Sequence, residues 1–141
     1  MLLGAAKAPA RLASSFLLQH LDPSGTMPTF LHTHWLAAAL WTMLGQTKPA
    51  NKVLTRLTTR LTELSPANCT WLITALCEAG LHPDHELIRW SASLLTSHQQ
   101  PDGRWASEDS PARDVHTTLE ALYALRQSGA ASWKSKPCVR G

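Results

Sequence analysis

Residues 99 to 125 constrain the fold most, because they contain a helix end, a turn and the start of a new helix. Residues 101–103, Pro-Asp-Gly, interrupt the preceding helical pattern, since Pro lacks a backbone donor and Gly adopts positive φ at little cost. Trp105 follows directly, where its ring can pack across the two helices that the turn joins. Asp114 suits the first turn of the next helix, because its carboxylate complements the free backbone N–H groups there.

The same helical period runs through the whole chain. Apolar residues recur every three or four positions, and the segments end at Gly or Pro. This pattern predicts helices at about 9–21, 30–44, 50–64, 67–79, 84–99 and 114–128, with Phe16, Trp90 and Leu119 among the core positions. No segment alternates as a strand does, so we predict an all-α fold.

The even-numbered helices resemble one another. Three triplets align, namely Ala39-Leu40-Trp41, Ala75-Leu76-Cys77 and Ala121-Leu122-Tyr123. This register also aligns His34 with Thr70 and His116, and His32 with Asn68 and Asp114. Residues 22–27 correspond loosely to residues 101–105 but lack the Trp. We interpret residues 1–141 as one domain of three helical hairpins, at about 9–45, 50–80 and 83–129, followed by an irregular tail at 130–141.

Composition narrows the function classes. An apolar share of 44% and a charged share of 16% fit a globular chain. A net charge of +3, with little interleaving of basic and aromatic residues, does not favour nucleic acid as a partner. No apolar run approaches the roughly 20 residues of a membrane span. Three cysteines form no paired framework, so we predict a reducing, cytoplasmic location.

The first segment is basic. It contains Lys7 and Arg11 but no acid before Asp22, which is also the composition of a weak organelle presequence. We interpret it as an ordinary first helix, because Phe16, together with its apolar neighbours, continues a usable core stripe.

Two motifs carry a family resemblance. Leu95, Gln99 and the tripeptide 103–105, Gly-Arg-Trp, resemble the Gln-Trp repeat of squalene-hopene and oxidosqualene cyclases, the class II terpene cyclases. Residues 114–118, Asp-Val-His-Thr-Thr, are similar to the DxDDT acid motif of that family. The resemblance covers residues 82 to 128. It implies an α/α toroid, a ring of helical hairpins around an apolar cavity, of which this chain would form about half.

The resemblance also implies a function. It predicts an isoprenoid or polyene substrate and acid-type cyclisation or isomerisation in specialised metabolism, an isomerase or lyase activity without a cofactor. Asp114 and His116 would be the catalytic acid pair, and His34, Trp35, Trp71 and Tyr123 would bind the substrate. His116 occupies the position of the central Asp of the motif. An imidazolium is a poorer acid toward an alkene than a carboxylic acid, which favours general-acid help to an epoxide or a carbonyl.

Other interpretations stay open. Arg113-Asp114 followed by His116-Thr117 also resembles a zinc-ligand segment of protein prenyltransferase β subunits, which predicts a zinc-dependent subunit of that kind. A third possibility is a non-catalytic helical scaffold or a truncated fragment, in which Asp114 and Asn68 are helix caps and the aromatics are plain core. If the chain is half of a ring, two copies in a homodimer could complete it.

Overall fold

The computed structural model describes residues 7–129 and contains six α-helices over that range, with no strand. The helices are α1 (Lys7–Leu18), α2 (Leu31–Met43), α3 (Thr47–Thr59), α4 (Pro66–Glu78), α5 (Glu86–Ser97) and α6 (Asp114–Ser128). Short 3₁₀ turns follow α3, at Leu61–Glu63, and precede α6, at Pro111–Arg113. The predicted all-α class is confirmed, and the predicted irregular tail at 130–141 lies outside the described residues.

Local signals in the sequence set the helix starts. The Ser65 hydroxyl accepts a hydrogen bond from the Asn68 N–H (3.2 Å), and Pro66 occupies the first helical position of α4. Ser65 is therefore the N-cap of α4, whereas Asn68 lies inside its first turn. His85 caps α5 in a similar way, since its Nδ1 accepts from the Leu87 N–H (3.1 Å).

The helices form two rows. α2 packs on α4 and α4 packs on α6, so the three helices that resemble one another in sequence lie side by side. α3 packs on α2 and α5 on both α4 and α6, and these two outer helices contact each other. α1 packs on α2. Among helices that follow one another in the chain, α2 packs most extensively with α3, and α4 with α5. The predicted grouping into three hairpins stays a prediction.

The core runs between the two rows. Three tryptophans, Trp35, Trp41 and Trp105, are its largest buried side chains, and leucines from every helix between α3 and α6 fill the space around them. A buried polar chain joins α1 to this core. Trp41 Nε1 donates to the Ser14 hydroxyl (2.9 Å), which donates to Gln46 Oε1 (2.6 Å).

Three residues predicted in the core are exposed instead, namely Phe16, Trp90 and Leu119. Each lies two positions from a buried residue of its own helix, namely Ser14, Ile88 and Ala121. Two positions correspond to about 200° around a helix, which turns the side chain away from the buried face. Helical periodicity indicated a stripe at these positions but not the exact direction in which the neighbouring helix lies.

Two turns repeat the same backbone hydrogen bonds. In the first, the Asp22 N–H donates to Thr26 O (3.0 Å) and the Gly25 N–H to Asp22 O (3.0 Å). In the second, the Gln100 N–H donates to Arg104 O (2.8 Å) and the Gly103 N–H to Gln100 O (2.8 Å). The next residue is buried in both cases, Met27 after the first turn and Trp105 after the second. The loose correspondence in the sequence is therefore confirmed in the backbone.

We expect the two turn glycines, Gly25 and Gly103, to differ in their sensitivity to substitution. Both have positive φ, +85° for Gly25 and +96° for Gly103. A Cβ on Gly25 would also lie 2.2 Å from the carbonyl oxygen of Lys52 in α3, whereas the nearest atom to a Cβ on Gly103 is 4.0 Å away. We expect Gly103→Ala to lower the free energy of unfolding by about 1–2 kcal/mol. Gly25→Ala should cost a further ~1–3 kcal/mol, because α3 must move.

Urea denaturation of the two variants beside the parent chain measures this difference. Gly103→Ala is the matched control, since it carries the same backbone strain without the clash. Equal losses in the two variants would contradict the close approach of the first turn to α3.

Candidate functional site

A groove in the described part of the chain lies between α4 and α6. It has a volume of about 620 Å³ and is open to solvent. α4 contributes Thr70, Trp71 and Thr74, and α6 contributes His116, Leu119 and Tyr123. Ligand pockets typically measure roughly 300–1,000 Å³ and are mostly apolar with a few polar groups, a description that this groove fits.

Trp71 is the centre of an aromatic cluster beside the groove. Its ring stacks on that of His32 (centroids 5.1 Å apart, interplanar angle 22°), which stacks in turn on Phe30 (5.6 Å, 5°). Trp35 meets Trp71 edge to face, with centroids 5.5 Å apart and an angle of 82°. Trp71 is still 43% exposed and Tyr123 is 51% exposed. The predicted binding residues Trp71 and Tyr123 therefore both present aromatic surface to the groove.

His34 and Trp35, the other predicted binding residues, lie beneath this surface. His34 Nε2 accepts from the Met27 N–H (3.0 Å), and His34 Nδ1 is 3.0 Å from Phe30 O. These partners require a neutral ring with its proton on Nδ1, so both ring nitrogens are used within the fold. Trp35 is completely buried, and its Nε1 has no hydrogen-bond partner among residues 7–129. Its ring supports Trp71 from below.

Asp114 is engaged by the loop that precedes α6. Its Oδ1 accepts from the Ser107 N–H (2.7 Å), and its Oδ2 lies 3.4 Å from a guanidinium nitrogen of Arg104. The side chain is 13% exposed. It borders a second depression together with Arg104 and Thr118, which adjoins the α4–α6 groove at Leu119. In this position the carboxylate holds the loop against the start of α6.

His116 faces the groove and has a different carboxylate partner. Its Nε2 lies 3.3 Å from Glu120 Oε1, and both side chains are more than half exposed. The two predicted acid residues, Asp114 and His116, thus border different depressions. Sequence reasoning missed Glu120, although its position four residues after His116 is a recognised pairing distance on a helix. A His–Glu pair of this kind can hold and transfer a proton at the groove.

The prediction that Trp105 braces neighbouring helices is confirmed. Trp105 Nε1 donates to Leu95 O near the end of α5 (2.8 Å), and the Trp105 backbone N–H donates to the Thr118 hydroxyl on α6 (2.9 Å). Thr118, the last residue of the acid-type motif, therefore has a structural partner. Its hydroxyl fixes the second turn to α6.

Metal ligands do not cluster in the described chain. Within residues 7–129, no three His, Cys, Asp or Glu side chains are grouped so that they could hold a metal ion. Burial raises the pKa of the Cys69 thiol to about 12 and also raises the pKa of Cys77. Both groups are therefore protonated thiols near neutral pH, the form that does not bind metals well.

None of the helices in the described range is both long and apolar enough to span a membrane.

Comparison with protein-family models, with curated proteins and with solved structures finds no match to this chain.

The brace at Thr118 predicts a stability effect. Thr118→Val keeps the shape of the side chain but removes the acceptor of the Trp105 N–H, and a buried donor without a partner costs about 1–3 kcal/mol. Thermal unfolding followed by circular dichroism measures this loss. Thr117→Val is the matched control and should change stability little. A Thr118 variant as stable as this control would contradict the brace.

Proposed function

We propose that this chain binds an apolar isoprenoid or polyene ligand in the α4–α6 groove, in the manner that its resemblance to the class II terpene cyclases implies. The observation that carries the proposal is the exposure of Trp71 and Tyr123. Three other tryptophans are buried in the core, whereas these two rings present aromatic surface at a groove large enough for a small molecule. Exposed aromatic surface in a concave site is typical of ligand recognition.

The arrangement around Trp71 supports a preorganised binding surface. Trp35 contacts the Trp71 ring edge to face, and the His32 ring stacks on it. These contacts already restrict the Trp71 side chain, so it loses little conformational freedom when a ligand binds. Aromatic faces also stabilise cationic centres by cation–π attraction. A polyene that develops positive charge would therefore be accommodated better than a polar ligand.

Any acid chemistry in the proposal belongs to His116 with Glu120. His116 borders the groove, and Glu120 lies close enough to return a proton to its ring. Protonation of an epoxide or a carbonyl oxygen by an imidazolium would start a cyclisation or an isomerisation. Asp114 then acts as a positioning residue, because its contacts with Ser107 and Arg104 fix the start of α6. The partial toroid and a cytoplasmic location belong to the same proposal.

A non-catalytic binding scaffold is the second candidate. The observation that favours it is the engagement of Asp114, the retained acid of the motif, by a backbone N–H and a guanidinium group. Both carboxylate oxygens of Asp114 are therefore engaged within the fold, and the residue does not border the groove. The groove would then serve to carry an apolar molecule rather than to convert it.

Ligand binding tests the proposal through Trp71. We expect farnesol to raise the melting temperature of the parent chain in a concentration-dependent manner, because a ligand that binds only the folded state stabilises it. Trp71→Ala should weaken the affinity at least about tenfold, the effect of losing a central aromatic contact worth more than ~1.4 kcal/mol.

Trp90→Ala is the matched control. Trp90 is exposed to a similar extent, 50%, but lies on α5 away from the groove. Affinity should stay unchanged in this variant. Equal weakening in both variants, or no stabilisation of the parent chain by farnesol, would contradict binding at the groove.

A further inference from the structure

Exposed apolar side chains are concentrated at the two ends of the inner row of helices. Within residues 7–129, all but two of the exposed large apolar side chains lie on α1, on α2 with its N-cap, or on α6. The two exceptions are Trp71 and Trp90. In the described range, α1 with α2 forms one end of the inner row, and α6 forms the other. The middle of the structure therefore exposes little apolar surface, and the ends expose much more.

The packing of the row explains why these ends are unusual. Among the helices of residues 7–129, α4 has an inner-row neighbour on both sides, α2 and α6, whereas the inner-row neighbour of α6 is α4 alone. In proteins built from stacked helical units, an end unit that faces water normally carries a polar outer face. α6 instead exposes Val115 and Leu119, and α1 exposes Leu12 and Phe16. In each pair the two residues are one helical turn apart and form a continuous apolar patch.

The charges beside the two patches are opposite. α1 has no acid in its first turn, and Arg11 is exposed next to Leu12. On α6, Glu120 is exposed next to Leu119 and pairs with His116. The depression that Val115 and Leu119 line also contains Asp102 and Asp114, which share the single cation Arg104 among its lining residues, so acids outnumber bases there. Opposite charges beside matching apolar pairs favour contact between unlike ends and disfavour contact between like ends.

We propose that two copies of this chain associate head to tail, with the α1 end of each copy against the α6 end of the other. Two such contacts close a ring related by a two-fold axis, and a closed assembly leaves no apolar end exposed. Leu119 belongs both to the α6 patch and to the groove. If the groove binds a ligand as proposed above, the second copy would form one of its walls, a consequence that rests on the proposed function.

Two substitutions with matched exposure test this assembly. Leu12 on α1 is 75% exposed and Val115 on α6 is 74% exposed, and neither borders the α4–α6 groove. Size-exclusion chromatography with light scattering should give the parent chain twice its monomer mass of 15.4 kDa. Leu12→Glu alone and Val115→Glu alone should each be monomeric, because each variant loses both contacts of the ring.

Mixing the two variants is the decisive step. The Leu12→Glu chain keeps an intact α6 end and the Val115→Glu chain keeps an intact α1 end, so an equimolar mixture should recover a dimer held by one contact. Trp90→Glu, on α5, is the control and should remain dimeric. Circular dichroism verifies that each variant is folded. We expect folding to survive, because both substituted positions are exposed.

Other outcomes overturn the assembly. A monomeric parent chain, a mixture that stays monomeric, or loss of the dimer in only one variant would each exclude the head-to-tail contact. Assemblies larger than two copies would exclude closure by a pair. Failure of farnesol binding would leave this pattern of masses unchanged, so the two proposals fail separately.

Discussion

Two buried backbone N–H groups outside the helices determine how the inner row is assembled. The Met27 N–H donates to His34 in α2, and the Trp105 N–H donates to Thr118 in α6. A buried donor without a partner costs about 1–3 kcal/mol, so each turn is held to the helix that follows it. The Trp105 indole adds a bond to Leu95 O, which links the second turn to α5 as well. These bonds therefore fix where α2 and α6 begin relative to the turns that precede them.

The same bonds decide which polar residues are free to contribute to function. His34 and His116 occupy equivalent positions of the repeat. Both ring nitrogens of His34 are hydrogen-bonded, one to the Met27 N–H of the first turn and one to Phe30 O, whereas His116 faces the α4–α6 groove. The Thr118 hydroxyl is likewise bonded to the second turn, through the Trp105 N–H. Among the contacts of residues 7–129, the Trp71 and Tyr123 side chains make no such bond to a turn, and their rings line the groove. The hydrogen bonds of the two turns therefore determine which of these side chains have a structural role and which can line the groove.

Sequence reasoning predicted the elements that local chemistry dictates. Gly and Pro marked most helix ends to within about three residues, whereas α3 ends at Thr59, well before its predicted end at about 64. The position of Trp105 after a turn indicated its bracing role. The exposure of Phe16 and Leu119 could not be predicted, because periodicity does not reveal which neighbours a helix has at the end of a row. The role of His34 was also hidden, since the repeat aligned it with His116 but gave no sign of the Met27 N–H. The engagement of Asp114 depends on a loop whose conformation no motif specifies.

Amide hydrogen exchange tests the central claim most directly, because it reports on the two bracing N–H groups themselves. The amides of Met27 and Trp105 lie outside any helix, yet they should exchange as slowly as the amide of Leu72 in the buried middle of α4. Exchange at the rate of exposed loop amides such as that of Asp109 would show that the turns are not held by α2 and α6. The account of the inner row, and of the groove it forms, would then be wrong.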